Sequence, residues 1–291
     1  MGTTSARTTT SGDAELTGAL LRVGDGFRLS EADPGSTPGF DGDKKAGRKR
    51  LAADEPVLDE LQERLYAASR DDDAAPAVLL VVQAMDTAGK GGIMRHVIGA
   101  VDPQGVRLKA FKAPTDEELA HDFLWRIEKE VPPAGIIGVF DRSHYEDVLI
   151  GKVRELAPPD EIDRRYDAIN DFEQRLVDRG IHLVKVMLHI SPEEQKARLM
   201  ERLDRPDKHW KYNPGDVDER LLWPQYMAAY QTVFERTSTA HAPWHVVPAD
   251  AKWYSRIAVQ TLLIEVLARI DPQWPAADFD VEAEKKRLAA S

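Results

Sequence analysis

Apolar residues follow two alternating patterns from Pro76 onward. Short continuous runs of Val, Ile and Leu separate longer stretches in which apolar residues recur every three or four positions. The runs predict strands at Val78 to Met85, Val106 to Phe111, Ile136 to Asp141, His182 to Ile190 and Trp244 to Pro248. The longer stretches predict helices at Gly91 to Val101, Asp116 to Glu130, Pro159 to Arg179, Pro192 to Leu203, Val217 to Thr237 with a kink or break at Pro224, and Trp253 to Ile270. Strands that lack polar alternation are buried on both faces. Separated by helices, they predict an α/β fold, a three-layer sandwich around a central parallel sheet.

The flanks read differently. Residues 1–14 are Thr- and Ser-rich with too little apolar surface to offset the entropy of ordering, and are expected to be disordered. Residues 15–75 read as an arm and a helix packed on the core. The arm has isolated anchors at Phe27, Leu29 and Phe40 and a basic end, KKAGRKR, taken as a solvated charge run; the helix spans Val57 to Ala68. Residues 76–270 form one domain, and 271–291 a solvated helical tail.

Composition narrows the function. The 291 residues carry 39 Lys plus Arg against 50 Asp plus Glu, a net charge of −11, which disfavours a general nucleic-acid binder and requires a local basic pocket for any anionic ligand. The absence of cysteine removes disulfides, thiolate metal sites and cysteine nucleophiles. No apolar run approaches the roughly 18 to 20 residues that span a bilayer, and the N-terminus lacks an apolar signal region, so a cytoplasmic protein with no membrane partner is expected.

The segment VLLVVQAMDTAGKGG runs a buried strand into Asp86, Thr87, Ala88, Gly89, Lys90, Gly91 and Gly92, and then into a helix. Small residues there let backbone N–H groups surround phosphate oxygens, the helix adds its positive end, and Lys90 supplies an ammonium. Compared with the usual phosphate loop, Ala84 replaces the first Gly, and Gly91 replaces the hydroxyl residue that holds Mg²⁺. Asp86 offers a substitute, because a carboxylate in an anion cradle makes sense when a hard cation lies between it and phosphate. Read blandly, AGKGG is a turn with a solvated lysine; the strand before it and helix after it favour the phosphate loop.

A second carboxylate, Asp141, ends the strand Ile136 to Phe140 as in a Walker B strand, and could share Mg²⁺ with Asp86 at the carboxyl edge of the sheet. Its simpler role is to cap the helix starting at Ser143. Arg142 beside it suits a phosphate. A third feature spans Lys196 to Tyr212, where six Lys and Arg face three acids. Helical spacing puts Arg198, Arg202 and Arg205 on one face, and Pro206 with Asn213-Pro214-Gly215 brackets a break. The segment at about 196–216 thus predicts a helical lid over an anionic substrate, against the plainer reading of a charged helix whose acids pair off its cations. Lys112, at a strand end, is a phosphate candidate; Arg126 has weaker grounds. His182, His189 and His245 read as packed strand residues, and Trp210, Trp223, Tyr226 and Tyr230 as core more than base-stacking groups.

Taken together, Gln83 to Gly92, FKAPT at 111–115, AHDFLWR at 120–126, DRSHYEDVL at 141–149 and KHWKYNPGD at 208–216 resemble the polyphosphate kinase 2 family over about Leu65 to Leu267. The resemblance implies a P-loop, nucleotide-kinase-like enzyme that moves phosphate between inorganic polyphosphate and adenine or guanine nucleotides with Mg²⁺ (Mn²⁺ as a substitute), as a homo-oligomer, a dimer or tetramer. It further implies that Asp86 and Asp141 are metal-binding and catalytic, Lys90 the loop lysine and Arg142 a phosphate clamp. Thr87, Ala88, Gly89, Gly91, Gly92, Arg95, Lys112, Arg126, Tyr145, Arg198, Arg202, Lys208 and Lys211 complete the expected phosphate or substrate contacts. The SHYEDVL wording resembles the subgroup accepting both AMP and ADP. The alternatives are an ATP-dependent nucleoside monophosphate or small-molecule kinase on the same scaffold, and a nucleotide-binding protein without catalysis.

Overall fold

The computed structural model describes residues 16–70 and 72–291; the expectation for residues 1–14 falls outside them. The predicted strands form one five-stranded, wholly parallel sheet: β1 (Ala77–Ala84), β2 (Val106–Ala110), β3 (Ile137–Asp141), β4 (Ile181–His189) and β5 (Trp244–Pro248), in the order β2-β3-β1-β4-β5. β1 is central, with Val81 opposite Phe140 on β3 and Lys185 on β4. Residues Val78 to Val82 have no solvent exposure, which accounts for the unbroken apolar run. β2 differs, being an edge strand with an exposed Leu108.

The helices are α1 (Lys44–Ala68), α2 (Lys90–His96), α3 (Asp116–Leu119), α4 (Trp125–Glu128), α5 (Ile150–Val153), α6 (Pro159–Asp178), α7 (Pro192–Asp204), α8 (Gly215–Leu221), α9 (Trp223–Thr237), α10 (Lys252–Ile270) and α11 (Val281–Ala289). α1 and α2 pack with α10 on one side, and α5 and α6 with α9 on the other, which makes the three layers. The chain alternates strand and helix as required for parallel crossovers.

Two boundaries depart from the periodicity, and a third follows it. α1 starts at Lys44 instead of Val57, so the run KKAGRKR is helical; Asp43 caps it by accepting from Ala46 N at 2.8 Å. Gly47 lies against Trp253 of α10, where an added Cβ would come within 2.2 Å of the indole, so the two helices meet only because that position lacks a side chain. The predicted helix at 116–130 is divided into α3 and α4. Asp122 accepts from Leu124 N at 3.0 Å and its carbonyl from Trp125 N at 2.9 Å, a local turn that restarts the helix. The helix predicted from Val217 to Thr237 breaks into α8 and α9, with Pro224 in the first turn of α9 where its missing N–H costs nothing.

The segment before α1 protects the other sheet edge. Val23 N donates to Trp244 O and Val246 N to Leu21 O, both at 2.8 Å, so a single antiparallel bridge covers β5. No helix among the described residues is long and apolar enough to cross a membrane.

Candidate active site

The carboxyl ends of β1, β3 and β2 open onto a cavity of about 570 Å³. Its wall holds nine cationic side chains, Lys90, Arg95, Lys112, Arg142, Arg202, Lys208, Lys211, Lys252 and Arg256, against two carboxylates, Asp86 and Asp141. Ligands of open α/β folds lie at this edge. In a chain of net charge −11, such a concentration of cations selects an anion.

The loop after β1 has the conformation that the small residues foreshadow. Gly89 has φ +128°, which a side chain would strain, and its carbonyl accepts from Gly92 N at 2.7 Å as α2 begins. Thr87 is held at φ +64°, and its buried Oγ1 has no hydrogen-bond partner among the described residues. Lys90 Nζ donates to Ala84 O at 3.2 Å. The second loop repeats the device: Arg142, straight after β3, has φ +63°, and its Nη2 donates to Asp86 Oδ1 at 3.3 Å. Two non-glycine residues in the left-handed region at adjacent strand ends cost free energy that the surrounding packing must supply, a feature typical of functional loops. Burial opposes the charge on Arg142, but Glu146, Asp86 and Asp141 together raise its pKa.

Of the residues that the sequence singles out, Asp86, Thr87, Ala88, Gly89, Lys90, Gly91, Gly92, Arg95, Lys112, Asp141, Arg142, Arg202, Lys208 and Lys211 all line the cavity. Arg198, Arg126 and Tyr145 do not line it, and their side chains are engaged by other groups of the protein. Arg198 is buried and donates to four carbonyls, Thr87 at 3.0 Å, Ala88 at 2.9 Å, Ala249 at 2.7 Å and Asp250 at 2.8 Å, besides pairing with Glu194. By drawing the Ala88 carbonyl toward itself, it turns the N–H of the same peptide, on Gly89, the opposite way. Arg126, also buried, donates to Lys112 O at 2.9 Å and approaches Asp147 at 3.5 Å, so it holds the Lys112 backbone from behind. Tyr145 is fully buried beneath the loop.

The supposed single face of the 196–216 segment therefore divides. Arg202 reaches the cavity, donating to Lys211 O at 3.0 Å and approaching Asp216 at 3.3 Å, while Arg205 lies at the surface with Glu201 and Asp207. Trp210 is 78% exposed, so it is not core, whereas Tyr226 and Tyr230 are buried.

Three residues escaped the sequence reading. Lys252 and Arg256 stand one turn apart at the start of α10; two cations spaced by four just after a predicted strand were the available signal. Burial and Arg198 lower the Lys252 pKa, and burial and Arg48 lower that of Arg256, as expected where cations crowd. Glu146, in the DRSHYEDVL stretch, is the third. Burial raises its pKa against the pull of Arg142 and Lys90, which places a carboxyl within their field.

For a metal, the donor set is two hard carboxylates; no group of three or more His, Cys, Asp or Glu gathers at ligand distance among the described residues. That fits Mg²⁺, which takes one or two carboxylates and completes its shell with water and substrate phosphates, and does not fit an all-protein cage.

The chain is similar to known proteins along most of its length. The chain is 44% identical over 249 residues to the AMP/ADP-polyphosphate phosphotransferase of Meiothermus ruber, covering 86% of this chain and 91% of that one. It is 39% identical over 268 residues to the ADP-polyphosphate phosphotransferase of Rhodopseudomonas palustris, covering 88% and 91%. The crystal structure of polyphosphate kinase 2 from Arthrobacter aurescens TC1 superposes with a TM-score of 0.93 at 57% identity, over 97% of this chain and 100% of that one. The family model of polyphosphate kinase 2 matches residues 41–274, which include the phosphate loop, the Asp141-Arg142 turn and every cationic wall of the cavity. With this fold and this coverage, the chain belongs to the polyphosphate kinase 2 family.

Proposed function

We propose that the protein transfers a phosphoryl group between inorganic polyphosphate and AMP or ADP, with guanine nucleotides as further acceptors. The observation that carries this reading is the cavity at the carboxyl edge of the sheet, where nine cations surround two carboxylates on a phosphate loop. A polyanionic donor and an anionic acceptor meeting in one site need just such an excess of positive charge. The relatives from Meiothermus ruber and Rhodopseudomonas palustris are named for this chemistry, which favours it over an ATP-dependent kinase.

In this reading Lys90 and the amides of Gly89, Gly91 and Gly92 hold one phosphate, and Arg142 fixes its neighbour. Asp86 and Asp141 would hold Mg²⁺ (or Mn²⁺), which when bound would supply positive charge to offset that of the phosphates. Lys112, Arg202, Lys208, Lys211, Lys252 and Arg256 steer the chain of phosphates and offset charge that develops during transfer. The acceptor is already an oxyanion, so no residue has to remove a proton from it. The residues 196–216 act as a lid, and the protein works as a cytoplasmic homo-oligomer, a dimer or tetramer; these points rest on the family resemblance and on the charge pattern.

The test is a donor-by-acceptor activity matrix with Mg²⁺, using polyphosphate as sole donor and AMP, ADP and GDP as acceptors. Formation of ADP from AMP or ATP from ADP is expected; neither product appearing would overturn the proposal. Asp86→Asn should cut kcat by more than about 10³-fold while leaving the melting temperature near that of the wild type. A near-normal rate would remove Asp86 from the mechanism.

A further inference from the structure

Beneath the turn that carries Arg142 lies a group of charged and polar side chains without access to solvent. Lys185 in the middle of β4, Glu173 on α6, and His144 and Tyr145 just after β3 have no exposed surface. Lys185 Nζ donates to Glu173 Oε2 at 2.6 Å, to Tyr145 Oη at 2.9 Å and to Thr237 O at 2.8 Å, which uses all three of its protons. The Tyr145 hydroxyl donates in turn to Glu173 Oε1 at 2.7 Å, and His144 Nε2 lies 3.3 Å from the same oxygen. Because that oxygen accepts, His144 Nε2 donates to it, and the buried Nδ1 has no hydrogen-bond partner among the described residues. Trp244 Nε1 donates to Thr237 Oγ1 at 3.0 Å and closes the set. Burial disfavours the Glu173 carboxylate, but Lys185 and the His144 hydrogen bond prevail and hold it below the ordinary range.

Stability does not account for such an arrangement. Taking an ion pair out of water costs several kcal/mol per ion, and apolar residues of the same volume commonly serve as well or better. A buried network in which Lys185, Glu173 and Tyr145 use one another's hydrogen-bonding capacity instead restricts its members to one geometry. Here the members are His144 and Tyr145, two and three residues beyond Arg142. Between them Ser143 Oγ accepts from Tyr145 N at 3.2 Å and from Gln83 Nε2 at 3.3 Å, which ties the turn to β1 as well. Arg142 itself has φ +63°, a conformation that a non-glycine residue keeps only when its surroundings enforce it.

We propose that Lys185, Glu173, Tyr145 and His144 form a positioning network that holds the strained Arg142 turn, and so aims its guanidinium at the transferring phosphate. This rests on the reading of Arg142 as a phosphate clamp. The network spends stability on geometry, and its contribution lies in turnover, not in substrate affinity.

The experiment compares kcat, KM and melting temperature for Tyr145→Phe, and for the all-apolar triple variant Lys185→Met, Glu173→Leu and Tyr145→Phe, each with Arg142 intact and with Arg142→Lys. Tyr145→Phe keeps the Lys185–Glu173 ion pair and removes one of its two links to the turn, leaving that of His144, so it serves even where the triple variant folds poorly. Expected are a drop in kcat of about tenfold or more and a KM for polyphosphate within about twofold of wild type. In the Arg142→Lys background the same change should cost less than about twofold, because its route to the phosphate is already broken. Equal kcat losses in both backgrounds, an unchanged kcat, or an effect confined to KM or melting temperature would overturn the positioning role. Wild-type kcat for Arg142→Lys alone would instead overturn the clamp reading and this proposal with it.

Discussion

Two walls of the cavity are built on different principles. Along the loop from β1 to α2, every residue from Asp86 to Gly92 faces the cavity, because the loop leaves a strand whose two neighbours, β3 and β4, fix its end. On the other wall, α7 and the Arg205 that caps it present three arginines within two turns to three different environments. Arg198 is buried among carbonyls, Arg202 reaches the cavity, and Arg205 pairs with acids at the surface. A strand end determines where the next residues go, whereas a helix only determines spacing, and the elements packed against it decide which turn meets a ligand. Charge type is the same along that helix; solvent access and partners are not.

That contrast can be broken by substitution at each position. The largest effect is expected at Arg198, where Ala leaves four carbonyls and Glu194 without their donor and should lower stability by about 3 to 5 kcal/mol, read from denaturant midpoints. A loss of polyphosphate affinity at full stability would restore Arg198 to the substrate wall. Next is His245 on β5, which lines a separate cavity with Ile181 and His182 at the amino end of β4. Burial first, then Arg22 and Lys185, lower its pKa to about 4, against a backbone hydrogen bond that raises it. The unfolded chain then binds the proton more readily, so stability falls as pH drops from about 6.5 toward 4 by up to about 3 kcal/mol. His245→Gln should flatten this part of the stability profile relative to wild type; parallel profiles would show that the imidazole stays solvated. Arg202→Ala should raise the KM for polyphosphate about tenfold, near 1.4 kcal/mol, at an unchanged melting temperature. At Arg205, whose partners lie in solvent, Ala should alter neither quantity measurably, and any KM effect there would return the arginines to one functional face.

Much of the molecule is legible before any coordinates. All five strands are found where they are expected; β1, β3, β4 and β5 are mostly buried apolar runs, since residues buried on both faces can dispense with polar alternation, whereas the edge strand β2 is largely exposed. The Pro224 break also follows from local chemistry. What failed to show in the pattern depends on contacts distant in sequence. The cations of the run KKAGRKR are solvated as expected, but the helix they form is not announced, because nothing local shows that Gly47 will meet Trp253, more than two hundred residues away. Lys252 and Arg256 look like ordinary helix cations until α10 is laid beside the phosphate loop. Tyr145 belongs to a motif with Arg142, yet its hydroxyl serves Glu173 and Lys185 from the opposite side of the turn.

The amino-acid sequence by itself determines the strand order's raw material, the phosphate loop with Asp86 and Lys90, and the pairing of Asp141 with Arg142 at a second strand end. These depend on burial periodicity and on the conformational demands of a few small residues, which are local. Only the tertiary structure decides which cations converge, which arginine is spent on carbonyls, and what holds Arg142 in its left-handed turn. Those outcomes depend on desolvation and on partners brought together by the fold, and neither quantity is written in the spacing of residues along one helix.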